Sequence, residues 1–514
     1  MKVDSLKIKN FRGYRRETEI KFDDLTVFVG KNDIGKSTVL EALDIFFNDG
    51  KGAVKLEKAD VNVYGLKEGE NDIEITVCFL ELPGNIIIDS SVNTTLQEEF
   101  MLNEKGQLEI VKKYKNGSST KAFIRALHPT NSKCAGLLLK KNADLKKIIK
   151  TEEIECESQS TNVTMRRAIW SRFRDELELK LIEIDASKED AKTIWDKLVY
   201  YLPIYSLFQS DRKNSDGDDE IQDPLKTAVK QILMDEALQS KLQSVAAEVE
   251  NKLKEVANRT LEKLKEMDPA VAESLNPIIP SPDGLKWQDV FKNVTISGDE
   301  NIPINKRGSG VKRLVLLNFF RAEAERRYQE QDNTGVIYAI EEPETSQHYE
   351  NQRLLIEAFK ALANAANTQV IMTSHSAAIV KELEFSDLRL IKEKENGDKE
   401  IINVLPRELQ YPSLNEVNYI AFGEATEEYH NELYAYIEYR KWKNEYIQGK
   451  STRIYKKIDR DGHIKEERKI LSEYIRNLIH HPENHENPKY SREELTESIE
   501  LMRNFIKEHK ETEA

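Results

Sequence analysis

Residues 30–37 read Gly30-Lys31-Asn32-Asp33-Ile34-Gly35-Lys36-Ser37 and fit the pattern GxxxxGK[ST]. An apolar run, Leu25–Val29, precedes this stretch, and a helical pattern over residues 38–46 follows it. Strand, glycine-rich loop and helix in this order are the context in which the pattern binds phosphate. Glycines let backbone N–H groups converge on phosphate oxygens, and the helix N-terminus adds a partial positive charge. The loop therefore predicts a binding site for a nucleoside triphosphate.

Within this loop, the residue types suggest separate tasks. Lys36 is expected to reach the β- and γ-phosphates of ATP, and the hydroxyl of Ser37 is expected to bind Mg²⁺. A glycine-rich turn with a chance lysine is the alternative, and a second half-site further along the chain argues against it. The remaining residues of the predicted ATP-binding loop are Gly30, Lys31, Asn32, Gly35 and Thr38.

The second half-site is Val336-Ile337-Tyr338-Ala339-Ile340-Glu341-Glu342-Pro343-Glu344. A short apolar run that ends in adjacent carboxylates predicts a buried parallel strand, which delivers the acids to the edge where α/β sheets bind ligands. We expect Glu341 to bind the Mg²⁺ ion. Glu342 is expected to orient and deprotonate the attacking water.

A third strand is predicted over residues 369–372, and it ends in Thr373-Ser374-His375-Ser376. A lone histidine is usually structural. Because His375 follows a strand and comes soon after the acid pair, its position favours contact with the γ-phosphate instead.

A basic loop lies between the two nucleotide blocks and reads Asn305-Lys306-Arg307-Gly308-Ser309-Gly310-Val311-Lys312-Arg313-Leu314. A helical pattern over residues 315–328 follows it. A Gly-Ser-Gly turn at a helix N-terminus is an anion site, and cationic side chains flank it here. Alone, the stretch is typical of an ordinary basic loop. In company with the other motifs, Ser309 and Gly310 look like the signature loop of ABC-type ATPases, which closes over the γ-phosphate held by a partner subunit.

These motifs occur in one order and follow an opening Leu6-Lys7-Ile8-Lys9-Asn10-Phe11-Arg12-Gly13-Tyr14. In that order the chain resembles the SMC/RecF-like ABC ATPases, specifically the OLD-type branch, many members of which are the ATPase half of bacterial anti-phage systems. The resemblance implies a head whose N- and C-terminal lobes join within one chain, with ATP held between two heads. It assigns catalysis to Glu342, signature contact to Ser309 and γ-phosphate sensing to His375. The loop that usually follows the first helix lacks a matching glutamine, and Asp60 lies nearby.

The predicted fold class is α/β: an ABC-type head with a mixed or parallel sheet, a helical insertion and an all-α C-terminal bundle. The predicted domains are an N-terminal lobe (1–135), a helical arm or short coiled coil (136–285), a C-terminal lobe (286–405) and a helical tail (406–514). Within them, helices are predicted over residues 145–149, 168–181, 191–200, 225–267, 428–446, 466–479 and 492–507. The forty or so residues of the arm would span ~60 Å at about 1.5 Å per residue.

Composition limits the function classes. The chain has 514 residues with 39% hydrophobic and 33% charged, typical of a soluble protein of two or three domains. No apolar run approaches the ~18–20 residues that span a membrane, and the N-terminus lacks a signal-peptide core, so we expect a cytoplasmic protein. Cys78, Cys134 and Cys156 show no CxxC spacing, which excludes a zinc hook and suits a reducing compartment. A net charge of −14 argues against indiscriminate coating of DNA.

The C-terminal tail is ambiguous. Arg476 and His481 have the Arg-x4-His spacing of HEPN-type domains, in which the histidine would act as general base and the arginine would stabilise the phosphorane. Alternatively, both are charges favoured at a helix C-terminus that Pro482 stops. A degenerate Toprim nuclease would instead use Glu424, Asp459 and Asp461, but the run before those aspartates is charged rather than typical of a buried strand.

Two functions from different classes follow. In the first, the chain is the ATP-binding and hydrolysing subunit of an anti-phage complex of the Septu, retron or PARIS type. It would sense infection, or nucleotide or nucleic-acid state, and control a nuclease or toxin effector encoded nearby. In the second, it is an ATP-gated RNase that uses its own tail, and a RecF-like DNA repair ATPase is a third reading. The expected partners are a second copy in a head-to-head dimer or larger oligomer, the effector, and DNA or RNA, with no membrane.

Overall fold

The computed structural model describes residues 1–30, 33–50, 52–88, 92–117, 119–209, 232–235, 237–248, 251, 335–345, 349–376, 379–380, 382–394, 396–404, 413–458 and 463–513. Several sequence predictions lie outside these ranges. They are most of the arm over residues 225–267, the helix over residues 315–328, and Lys31, Asn32, Ser309, Gly310, Asp459 and Asp461.

The first sheet is antiparallel and has the strand order β2-β1-β4-β5-β6-β7. Its strands are β1 (Lys2–Lys9), β2 (Thr18–Lys21), β4 (Asp72–Leu80), β5 (Leu108–Lys115), β6 (Ser119–Pro129) and β7 (Leu179–Asp185). Strand β1 largely alternates buried and less buried positions, whereas β4 and β5 each contain a continuous run of buried residues.

The second sheet is mostly parallel and has the order β12-β11-β3-β10-β9-β8. Only β12 runs antiparallel to its neighbour, and β3 pairs with β10 on one side and β11 on the other. The central strands are continuous apolar runs, because both faces of the sheet are covered. The strands are β3 (Leu25–Val29), β8 (Ile204–Phe208), β9 (Val336–Glu341), β10 (Thr368–Ser374), β11 (Leu388–Glu393) and β12 (Lys399–Asn403).

One helix joins the two sheets. Helix α1 (Lys36–Asn48) buries Leu40, Leu43 and Phe46 in a core that contains residues of both sheets. The hydroxyl of Tyr205, on β8, donates to the carbonyl of Leu40 at 2.6 Å. The phosphate-binding loop is therefore fixed at one end by a sheet strand and at the other by a buried helix.

The other helices of the described residues cover the sheets or form the tail. Helices α2 (Val63–Lys67), α3 (Asn142–Thr151), α4 (Asn162–Arg172) and α5 (Glu189–Leu198) belong to the first part of the chain. Helix α6 (Tyr349–Ala363) covers the second sheet on the side away from α1. In the tail follow α7 (Leu414–Phe422), α8 (Glu427–Tyr439), α9 (Lys443–Ile447), α10 (Leu471–His480) and α11 (Arg492–Glu513). No helix of the described residues combines the length and apolarity needed to cross a membrane.

The tail has its own core and is joined to the head through α7. Leu433, Ile475 and Ile499 are buried together in this third core. Val417, on α7, packs instead in the core beneath the second sheet, whereas Tyr419 of the same helix lies against Tyr429 with ring centroids 5.4 Å apart. Helix α7 thus contacts the head and the tail bundle at once.

The mixed α/β fold predicted from the sequence is confirmed, with corrections in three places. The helix predicted over residues 168–181 ends at Arg172, and the following residues form β7. Strands β7 and β8 lie inside the stretch predicted as a helical arm, yet each belongs to a sheet of the head, because β7 pairs with β6 and β8 with β9. The tail is not wholly helical, since β13 (Thr452–Ile458) and β14 (Ile464–Ile470) form an antiparallel hairpin.

Candidate nucleotide-binding site

Three neighbouring parallel strands end at the same edge of the second sheet. Ser374 on β10 lies opposite Val29 on β3, and Thr373 lies opposite Glu341 on β9. The residues that follow these strands therefore emerge side by side. They are Gly30, which opens the phosphate-binding loop, Glu342 and His375.

The loop after β3 has two glycines in conformations that favour glycine. Gly30 has φ 144° and Gly35 has φ 105°. A Cβ at Gly30 would lie 3.1 Å from the carbonyl oxygen of Ile391, and one at Gly35 would lie 3.4 Å from the ring of Tyr14. Gly35 precedes α1 and has no side chain that could cap it, which leaves the first helical N–H groups directed at the position of an anion.

Lys36 is buried at the first position of α1, with its side chain turned toward the loop. Its Nζ donates to the carbonyl of Gly30 at 2.9 Å. Burial lowers the pKa of Lys36, while the carboxylates of Glu342, Glu344, Asp33 and Glu341 act to raise it. The lysine predicted to bind phosphate is thus within electrostatic reach of the acids predicted to serve the same nucleotide.

Glu342 has a constrained backbone. Its φ is 41°, in the left-handed region that non-glycine residues seldom adopt. Its N–H donates to Oγ1 of Thr373 at 3.1 Å, which supports this conformation from the neighbouring strand. The Glu342 side chain is 28% exposed, and its Oε1 lies 3.2 Å from Nδ1 of His375. The predicted base and the predicted γ-phosphate sensor therefore contact each other directly.

Glu344 is a residue of the site that sequence reasoning missed. Its side chain is 4% exposed, and one of its oxygens accepts hydrogen bonds from the hydroxyl of Ser374 at 2.8 Å and from the N–H of His375 at 2.9 Å. The available signal was a third acid at the end of β9, separated from the pair by Pro343. Its importance depends on contacts with a strand distant in sequence.

Arg12, which follows β1 of the first sheet, connects Asp60 to helix α1. Arg12 donates from Nε to Oδ1 of Asp60 at 2.8 Å, and its guanidinium also forms an ion pair with Glu41 on α1. The N–H of Arg12 donates to the carbonyl of Asp60 at 2.7 Å. Asp60, which lies near the position where related ATPases have a glutamine, is therefore bound by Arg12 of the opening motif.

A family model described as an AAA ATPase domain matches residues 1–380. The chain belongs to this ATPase family. The sequence expectation of an ATPase is thereby confirmed, together with nucleotide binding. Among curated proteins, the Endonuclease GajA of Bacillus cereus (strain HuB5-5) is 24% identical over 414 residues. That alignment covers 74% of this ATPase and 56% of the endonuclease, so the chain spans little more than half the length of that relative.

Solved structures similar to this ATPase include heads of SMC proteins. The SMC head domain from Thermotoga maritima is 12% identical, with a TM-score of 0.31, and covers 79% of this chain and 100% of that one. An Smc head with an extended coiled coil, bound to the C-terminal domain of ScpA derived from Pyrococcus furiosus, is 11% identical, with a TM-score of 0.39, and covers 78% and 96%.

The oxygen donors of the ATPase site suit a magnesium ion. Ser37 lies in the first turn of α1, and Glu341 is the last residue of β9; both side chains are half-buried. A hydroxyl and a carboxylate are ligands of the type that Mg²⁺ takes, with triphosphate oxygens and water completing the shell. The residues that the sequence named for the ion thus fit it chemically.

In the tail, Arg476 and His481 have different surroundings. Nη1 of Arg476 lies 2.7 Å from Oε2 of Glu438, and its guanidinium stacks on the ring of Tyr434 at 4.5 Å. The His481 side chain is 57% exposed, with Nδ1 3.3 Å from Oε1 of Glu483. Arg476 thus contributes to the packing of the bundle, and the resemblance to HEPN-type nucleases stays a prediction.

Proposed function

We propose that this ATPase hydrolyses Mg²⁺-bound ATP at the edge of the second sheet and uses the cycle to control an effector in anti-phage defence. The observation that carries the proposal is the convergence of three chain segments at one edge. Lys36 follows β3, Glu342 follows β9 and His375 follows β10, with Glu342 and His375 3.2 Å apart. A phosphate-binding cation and an acid suited to activating water therefore lie beside the same nucleotide position.

Each residue has a task that follows from its chemistry. Lys36 leaves the carbonyl of Gly30 and binds the β- and γ-phosphate oxygens, as in other phosphate-binding loops. Glu342 accepts a proton from the attacking water, and His375 orients the Glu342 carboxylate beside the γ-phosphate. Ser37 and Glu341 would hold Mg²⁺, which would neutralise negative charge on the triphosphate.

The nucleotide site is completed in this proposal by a second copy of the chain. Ser309 and Gly310 of the partner would contact the γ-phosphate, as the resemblance to ABC-type ATPases implies. Closure of two heads over ATP, and their opening after hydrolysis, provides two states that an effector can distinguish.

The order of the motifs supports a role in defence, and the curated relative supports a link to nucleic-acid cleavage. The order of the motifs resembles OLD-type ATPases, many of which belong to anti-phage systems, and the relative GajA is an endonuclease. We assign the nuclease or toxin activity to a separate protein encoded nearby, as in the anti-phage systems that the order of the motifs resembles. In this arrangement the ATPase senses infection and the partner carries out the damage.

The test is phage challenge of bacteria that express the chain with its genomic neighbour. The wild-type pair is expected to protect, and Lys36→Ala is expected to abolish protection because phosphate binding is lost. Glu357→Gln is the matched control, since Glu357 is exposed and pairs with Arg353 on the surface of α6. Full protection by the Lys36→Ala pair would reject the role of ATP. Purification of the wild-type complex and measurement of its mass would identify the effector and the number of heads.

A further inference from the structure

We propose that Glu344 is a positioning residue for ATP hydrolysis, whose carboxylate fixes the loop after β10 and thereby holds His375 against Glu342. The inference deepens the proposed function, and it rests on ATP being hydrolysed at this site. The sequence motifs assign tasks to the first two acids after β9, and the structure assigns one to the third.

The surroundings of Glu344 are those of a buried anchor. The side chain is 4% exposed, and burying a carboxylate is costly unless donors replace water. One oxygen, Oε1, accepts from the hydroxyl of Ser374 at 2.8 Å and from the N–H of His375 at 2.9 Å, and Nδ1 of His375 lies 3.5 Å from it. The other oxygen, Oε2, is buried and accepts no hydrogen bond from the described residues.

The loops after β9 and β10 are joined in both directions. The N–H of Glu342 donates to Thr373, so the first loop is held by the second strand. Ser374 and the N–H of His375 donate to Glu344, so the second loop is held by the first. The bonds from Ser374 and from the His375 N–H converge on one carboxylate, so removal of that carboxylate would break both and leave the bond from Glu342 to Thr373 in place.

The consequence is selective for turnover. Glu344 contacts the backbone N–H of His375 and is not expected to touch ATP. The loop around Lys36 would provide most of the contacts to phosphate. Loss of the Glu344 carboxylate would misplace His375 against the base, and misplacement of a reacting group lowers the rate of the chemical step more than it lowers substrate binding. We therefore expect kcat to fall while KM stays nearly constant.

The first experiment measures phosphate release by Glu344→Gln and Ser374→Ala in the full-length protein. Glu344→Gln keeps the shape but removes the charge and places an amide in the buried position; we expect kcat to fall about tenfold with KM changed by less than about twofold. Ser374→Ala removes one donor to the carboxylate, together with the acceptor of the Ser376 N–H, and leaves the carboxylate in place; we expect a fall of about threefold. Ser374→Ala is the alternative test if Glu344→Gln does not fold, as judged from circular dichroism and the melting temperature. Unchanged kcat in the folded variants would overturn the inference.

The second experiment distinguishes positioning from a general structural effect. If Glu344 acts through His375, Ser374→Ala and Glu344→Gln are expected to lower kcat by less than about twofold further when His375 is already alanine. A full tenfold further loss by Glu344→Gln in that background would show that it acts independently of His375 and would overturn the inference.

Parallel variants separate this inference from the proposed function. If Lys36→Ala hydrolyses ATP at the wild-type rate, the site itself is wrongly assigned. If Lys36→Ala and Glu342→Gln lose turnover while Glu344→Gln and Ser374→Ala retain it, only the role of Glu344 is rejected. Glu357→Gln, the exposed glutamate on α6, is the control for the change of charge and is expected to keep wild-type kcat.

Discussion

The hydroxyl of Tyr14 donates a hydrogen bond to the backbone carbonyl of Gly35 at 3.1 Å. Tyr14 is fully buried, and burial raises the pKa of its hydroxyl, so the group stays a protonated donor at every physiological pH. The bond joins the opening motif of the chain to the turn that begins α1. The phosphate-binding loop is therefore supported from the first sheet as well as from its own strand.

Tyr14→Phe is expected to weaken ATP binding. Removing a donor from a carbonyl costs about 1 kcal/mol, which corresponds to a roughly fivefold rise in Kd if the loop must recover its shape on binding. Titration with a fluorescent ATP analogue would measure this. Tyr64→Phe, at an exposed tyrosine on α2, is the matched control and is expected to bind as the wild type does. Equal affinities of both variants would contradict the support assigned to Tyr14.

Glu342→Gln is expected to keep ATP binding and to lower turnover by about a hundredfold or more, because the amide cannot accept a proton from water. Release of phosphate under saturating ATP gives the rate, and isothermal titration gives the affinity. In the proposed dimer, the slow variant should also remain associated in ATP, which sedimentation velocity would detect. Unchanged hydrolysis would remove the role given to this carboxylate.

Arg476→Ala is expected to lower the free energy of unfolding of the tail by about 1–2 kcal/mol. The change removes the ion pair with Glu438 and the stacking on Tyr434, each worth about 1 kcal/mol or less at a partly exposed site. His481→Ala, at an exposed residue, should change stability by less than about 0.5 kcal/mol. Urea denaturation followed by circular dichroism would compare them. Equal loss of RNA cleavage by both variants, at unchanged stability, would instead favour the RNase interpretation.

Acid is expected to destabilise the tail through His430. Burial, with a smaller effect of Arg476, lowers the pKa of His430 from 6.5 to about 4, and Nε2 lies 3.0 Å from Oγ of Ser498. Below pH 6.5, His430 becomes protonated in the unfolded chain, whereas in the folded tail it becomes protonated only near pH 4. The free energy of unfolding therefore falls as pH drops through this window, by about 3 kcal/mol in total, and is independent of this group above about pH 7.5.

Calorimetry at several pH values between 5 and 7.5 would measure this slope. His128, in the head, has its pKa lowered to about 4 by burial and contributes in the same direction, so the wild-type slope contains both histidines. His430→Gln should reduce the slope while leaving the part due to His128. A slope identical to that of the wild type would contradict the assignment.

The strands around the site were predictable because each is defined by local sequence. Leu25–Val29 is an apolar run that ends at a glycine, and β9 is one that ends at two acids; both agree with the predicted bounds. A strand buried on both faces needs no information about its partners to be recognised. The same sequence pattern also indicates which end of the strand faces the ligand.

Strands β7 and β14 were not predicted, because their state depends on distant partners. Residues 177 and 181 are leucines four apart, which also suits a helix, and pairing with β6 decides the outcome. Strand β14 is rich in lysine, glutamate and arginine, which favour helices, yet it pairs with β13 along its whole length. Tertiary pairing outweighs local propensity in both segments.

In the candidate site, too, some residues could be predicted from local sequence and others depend on distant contacts. Motif spacing identified Lys36, Glu342 and His375, which the structure brings to one edge. It did not identify Tyr14, Thr373 or Glu344, which hold the loops in place. A motif indicates what chemistry a side chain offers, whereas a supporting hydrogen bond depends on which segments become neighbours after folding.

Strand β3, formed within the first thirty residues, lies between β10 and β11 in the second sheet. Both of its neighbours come from residues 368–393, so neither edge of β3 is paired until those residues are available. During synthesis, the chain must be extended through β11, which ends at Glu393, before both neighbours of β3 can pair with it. A nascent chain that ends before β10 lacks both neighbours of β3, so the pocket is assembled late in synthesis.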